Sequence, residues 1–112
     1  MEKKEIKIKI RDVRDVLELI GGRWRVVIIA SLCERPKRFS ELKKDVGNIT
    51  PRILIKELRY LEMNQMVSIE KNTLSENSVV YTLTAHGKSF QPISEEIQKW
   101  ANKHRSKILN RS

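Results

Sequence analysis

The sequence predicts a mainly α fold with one small β-hairpin, an α+β domain. Three observations carry that expectation. Apolar residues recur at three- and four-residue steps in several stretches, the mark of one-sided helices. Two short runs, Val67–Lys71 and Val79–Leu83, alternate apolar and polar residues instead, as half-buried strands do. Glycine, proline or a capping hydroxyl stands at most of the boundaries between these stretches. The length of 112 residues fits one domain. A globule of this size buries roughly two-thirds of its unfolded surface, enough for one core without staples.

The elements follow in order. Residues 1–11 read as a basic N-terminal arm (Lys3, Lys4, Lys7, Lys9, Arg11). Glu5–Ile10 alternates Ile with charge, which fits a short strand or, better, a mobile tail. The domain proper spans 12–109. Its first helix places Val13, Val16, Leu17 and Ile20 on one face, with Asp12 to cap it and Gly21-Gly22 to stop it. A second helix, about Trp24 to Cys33, is apolar on nearly every side, so it is expected in the middle of the core. Glu34–Arg38 reads as a charged turn. Ser40 is expected to cap a third helix with Leu42 and Val46 on its core side, followed by Ile49. After the Gly47-Asn48 turn, Thr50-Pro51 opens a fourth helix reaching about residue 63, with Leu54, Leu58 and Leu61 as its core stripe. The hairpin occupies about 67–83, with a polar link over 72–78. Thr84 then caps a last helix carrying Phe90, Ile93, Ile97, Trp100 and Ala101, which Pro92 should kink or restart. Helix, helix, helix–turn–helix, hairpin, helix is the order of a winged helix. Function has to be argued from sites rather than from that fold.

Charge narrows the function. Lys and Arg number 23 against 14 Asp and Glu, a net charge of +9. Such an excess points to a polyanion, nucleic acid first and an acidic membrane surface second. One cysteine excludes an intrachain disulfide framework and suits a reducing cytoplasm. The longest apolar run, Val26–Ala30, is too short to span a bilayer, and the N-terminus lacks the apolar core of a secretory signal.

Within a helix–turn–helix the second helix enters the major groove, its N-terminal residues nearest the base edges. At 100° per residue, Ile55, Lys56, Arg59 and Met63 lie within about 60° of Arg52, opposite the leucines. Thr50, Arg52, Ile55 and Lys56 are therefore the candidate base readers: Arg can fork onto guanine, and Ile can touch a thymine methyl. Arg59, Lys37, Arg38 and the start of the third helix at Ser40 are candidate phosphate contacts. From Arg35 to Arg59 eight basic residues face three acidic ones. Lys43 and Lys44 fit a merely solvated role. At the wing, Lys71, Asn72 and Asn77 are candidate contacts, and the basic arm fits either DNA or solubility.

The sequence carries no pattern for other chemistry. His86, His104 and Cys33 lack metal-ligand spacing, so no metal site is expected. Gly87-Lys88-Ser89 would end a phosphate loop, but position 82 is Thr where glycine is required. Glu95-Glu96 point apart on a helix and no Ser or Cys has a visible base, so neither catalysis nor a cofactor is expected. Trp24 suits core packing and Trp100 a subunit contact. Either also suits the wall of a small-effector pocket.

Three segments carry a resemblance: LELIGGRWRVVIIASL (17–32), PKRFSELKKDVGNITPRILIKELRYLE (36–62) and VVYTLTAHGKSFQPI (79–93). Over residues 10–101 the chain resembles the HxlR-type family of bacterial winged-helix transcription regulators. The resemblance implies a homodimer built from the first and last helices that binds operator DNA through the fourth helix and the wing. Val13, Leu17, Phe90, Ile93, Ile97 and Trp100 are then the expected dimer contacts. The family usually carries a Cys-Pro pair before the first helix, a sensing cysteine in some members. Here that stretch is Ile8-Lys-Ile-Arg11, so sensing is not carried over, and Cys33 is expected to be a small buried hydrophobe. The resulting expectation is a sequence-specific, homodimeric DNA-binding regulator, with any small-molecule effector open. The alternative is a winged-helix protein–protein interaction module, for which an apolar reading face would be needed. RNA binding ranks third.

Overall fold

A computed structural model describes residues 3–71 and 79–110, with side chains from residue 9 onward. The elements are α1 (Lys3–Ile20), α2 (Arg25–Glu34), β1 (Lys37–Arg38), α3 (Phe39–Val46), α4 (Pro51–Met63), β2 (Val67–Lys71), β3 (Val79–Leu83), α5 (Ala85–Lys88) and α6 (Gln91–Leu109). This is a winged helix, mainly helical with a three-stranded antiparallel sheet in the order β1-β3-β2.

The core forms where the helical stripes meet the sheet. Ile28, Ile29 and Leu32 of α2, Leu42 of α3, Leu54, Leu58 and Leu61 of α4, and Val67 and Leu83 of the sheet are all buried. Ile20, Ile49, Met66 and Phe90 close its edges. Gly87 is there for space: a Cβ on it would lie 2.1 Å from the Met66 carbonyl oxygen. Thr84 caps the four-residue α5 rather than the last helix, its hydroxyl accepting from the Gly87 N–H at 3.0 Å. Pro92 restarts the chain rather than kinking it, since α6 begins at Gln91 with the proline in its first turn, where its missing N–H is harmless.

Four further expectations need correction. The first helix starts at Lys3, not Asp12, so residues 3–11 are helical rather than a tail or strand. Alternation of Ile and Lys is poor helix patterning, but unbranched Lys and Glu favour the helix locally. The second helix is not covered all round, because Val27 is 42% exposed. The turn before the third helix contains a strand: Lys37 pairs with Tyr81 and Arg38 with Val80. That pairing keeps the chain extended through Arg38, so α3 starts at Phe39. Ser40 therefore lies inside the helix and is not its cap. The Glu41 carboxylate caps instead, accepting from the Arg38 N–H at 3.0 Å.

Candidate nucleic-acid interface

The second helix of the helix–turn–helix is fixed at its start and along its length. Thr50 Oγ accepts from the Ile53 N–H at 3.2 Å, and Pro51 occupies the first helical position. Burial of Leu54, Leu58 and Leu61 sets the rotation of α4 about its axis. Arg52, Ile55, Lys56, Arg59 and Met63 consequently face outward, and all five are exposed. Among the described residues none of the three cations on this face is in a salt bridge. A groove of about 680 Å³ runs along this side of α4, between its basic residues and Arg25, Glu57 and Tyr60.

On the α3 side the expected phosphate contacts divide. Arg38 and Ser40 are exposed. Lys37 is not: it is 2% exposed, and its ammonium donates to Ser31 Oγ at 3.0 Å and to the Asp45 carboxylate, with Glu34 at 3.5 Å. β1 turns this side chain inward, so Lys37 is spent inside the fold and is withdrawn as a phosphate contact. The hydrogen bond from Lys37, then that from Ser31, holds the Asp45 carboxyl below the usual carboxylate range. Arg35 bonds Glu41 at 2.7 Å, which lowers the Glu41 carboxyl and raises the Arg35 guanidinium. The positive end of α3 is thus answered by Glu41, and the case for Ser40 rests on its exposed hydroxyl. Lys71 is exposed at the end of β2, while Asn72, Asn77 and the rest of the wing tip lie outside the described residues. Of the basic arm, Lys9 and Arg11 are exposed on α1.

The expected dimer contacts also divide. Val13, Leu17, Ile93, Ile97 and Trp100 are exposed, together with Ile10, Val16 and Ile108 on the same two helices. Trp100 stacks on His104 with ring centroids 4.9 Å apart. Phe90 is the exception at 6% exposure. It sits at the α5–α6 junction, its N–H donating to Gly87 O at 3.2 Å, and belongs to the monomer core. Trp24 packs against the core too, with the Arg23 guanidinium 4.7 Å above its ring. Cys33 is half-buried, and burial, then the Glu95 charge, pushes its thiol upward, away from the reactive thiolate. Among the described residues no cluster of His, Cys, Asp and Glu is suited to a metal, and no helix is long and apolar enough to cross a membrane.

Sequence patterning missed Arg25. It reaches back to the carbonyl oxygens of Glu18 (2.9 Å) and Leu19 (3.3 Å) and across to Glu57 on α4 (2.7 Å). The available signal was a cation placed just after the Gly21-Gly22 helix stop.

The model of the HxlR-like helix-turn-helix family matches residues 19–108. The chain belongs to that family. An HTH-type transcriptional regulator of Halalkalibacterium halodurans is 36% identical over 112 residues, covering 95% of this chain and 99% of that protein. YodB of Bacillus subtilis, also an HTH-type transcriptional regulator, is 36% identical over 92 residues, 80% of each chain. Among solved structures, the redox regulator HypR in its reduced form superposes with a TM-score of 0.76 at 28% identity, over 87% of this chain and 96% of its own. Reduced YodB gives 0.74 at 33% identity, over 82% and 90%. The HxlR-like chain is thus a helix–turn–helix transcriptional regulator, and its relatives are regulators rather than enzymes.

Proposed function

We propose that this HxlR-like regulator is a cytoplasmic homodimer that reads duplex DNA with α4 in the major groove. The observation that carries the reading is the outward face of α4. Arg52, Lys56 and Arg59 stand there free of salt bridges among the described residues, with Ile55 beside them and the leucine stripe buried behind. Arg52, Ile55, Lys56 and Thr50 meet base edges, while Arg59, Arg38, Ser40 and Lys71 meet phosphate. The exposed apolar residues of α1 and α6 form the two-fold seam, which places two copies of α4 on half-sites one DNA turn, or a multiple, apart. YodB has been solved diamide-treated and quinone-bound. The present chain lacks the cysteine of the Cys-Pro pair, so an effector would act on it without that thiol.

The test is fluorescence polarisation with the DNA upstream of its own gene at two salt concentrations. Affinity should fall steeply with salt. Arg52→Ala should cost about 1–3 kcal/mol and relax preference at one base pair. Unchanged affinity and base preference in that variant would remove α4 as the reader. Salt-independent binding to a protein partner alone would favour the docking-module reading.

A further inference from the structure

Among its described residues, α1 packs on the rest of the molecule through its last turn. Its described residues from Lys9 to Glu18 are all exposed, and only Leu19 and Ile20 enter or touch the core. At that end Arg25 makes a three-way joint. Its terminal nitrogen donates to the Glu18 and Leu19 carbonyl oxygens at 2.9 and 3.3 Å, two of the acceptors a helix leaves open at its C-terminus. Its Nε donates to Glu57 Oε2 on α4 at 2.7 Å, in a pair only 20% and 15% exposed. Its guanidinium lies 3.7 Å above the Tyr60 ring, and the Tyr60 hydroxyl donates back to Glu18 O at 3.3 Å. One planar cation therefore joins α1 to α4 by hydrogen bonds in two directions and a stack in a third. Lysine cannot reproduce that geometry.

We infer that Arg25 is a positioning residue that fixes the angle between α1 and the reading helix, and so the half-site spacing the dimer accepts. The inference rests on the proposed dimeric DNA reading. Its leverage is geometric. α1 has 18 residues and is about 27 Å long, so a tilt of about 10° at the joint moves its far end by about 5 Å. That exceeds the rise of one base pair, about 3.4 Å. If the two protomers meet along α1, a loosened joint lets the two copies of α4 drift by a base pair or more.

The experiment is in vitro selection from a random-sequence duplex DNA library by the full chain and by Arg25→Gln, Arg25→Lys and Glu57→Gln, read by sequencing. The unaltered protein should enrich inverted half-sites at one dominant spacing. Arg25→Gln should enrich the same half-site, with the share at the dominant spacing at least halved and neighbouring spacings filled. Arg25→Lys should follow it, and Glu57→Gln should shift the same way by less. A variant that is merely destabilised would enrich less DNA without broadening the spacing. If folded Arg25→Gln keeps the single spacing, the inference is overturned. If Arg25→Gln does not fold, Glu57→Gln and Arg25→Lys decide by the same criterion. If the unaltered protein enriches no repeated motif, the DNA-binding reading itself fails, and this inference fails with it.

Discussion

Desolvating an ammonium costs several kcal/mol unless an anion meets it. Asp45 and Ser31 meet that of Lys37, and the strand pairing of Lys37 with Tyr81 holds it there. Because the Asp45 carboxyl titrates below its usual range, its contribution is complete above the unfolded carboxylate pKa. It is lost as pH falls through the lower, folded value. Asp45→Asn should therefore lower the urea midpoint at neutral pH and flatten its decline in acid. Lys37→Met should leave DNA affinity and its salt dependence unchanged, whereas a uniform loss of affinity in a folded variant would show that Lys37 reaches phosphate after all. The thiol of Cys33, pushed upward by burial, gives the second outcome at this scale. Operator affinity should not respond to diamide, and Cys33→Ser should change thermal stability more than regulation. A loss of affinity with diamide, restored by reductant and absent in Cys33→Ser, would make Cys33 a sensor.

Among the elements, α5 leaves little room for change. Alanine at Gly87 forces its Cβ onto the Met66 carbonyl, so Gly87→Ala should destabilise by about 1–3 kcal/mol or more, seen in thermal unfolding. The Thr84 cap and the Pro92 restart were legible in the sequence because each has a local chemical signature. The α4 stripe was legible for a different reason: three leucines at helical spacing leave one rotation that buries them all. β1 was not legible. It has two residues, both cationic, and its existence depends on β3, some forty positions later in the chain. Missing β1 carried two errors with it, the inward Lys37 and the displaced cap at Ser40. Phe90 was misassigned because helical periodicity identifies a face without saying whether the same chain or another covers it. The joint at Arg25 escapes patterning for a related reason, since its partners come from two other elements, α1 and α4.

For the molecule as a whole, the exposed rows on α1 and α6 are apolar surface that its own core does not use. Ile10, Val13 and Leu17 on one helix and Ile93, Ile97 and Trp100 on the other are each between 42% and 65% exposed. Light scattering at micromolar concentration should give the mass of a dimer, and Leu17→Glu with Ile97→Glu should give a folded monomer with weakened operator binding. A monomeric unaltered chain would end the dimer reading. If the dimer holds, the same surface makes survival in the cell depend on abundance. A newly made chain can complete its core alone, yet until it meets a second copy it displays a greasy strip of the kind that chaperones and proteases recognise. Pairing follows the square of concentration, so a scarce regulator spends a larger fraction of its life unpaired and is cleared faster. Its half-life should lengthen as its synthesis rises, which gives the cell a threshold rather than a graded dose of the regulator.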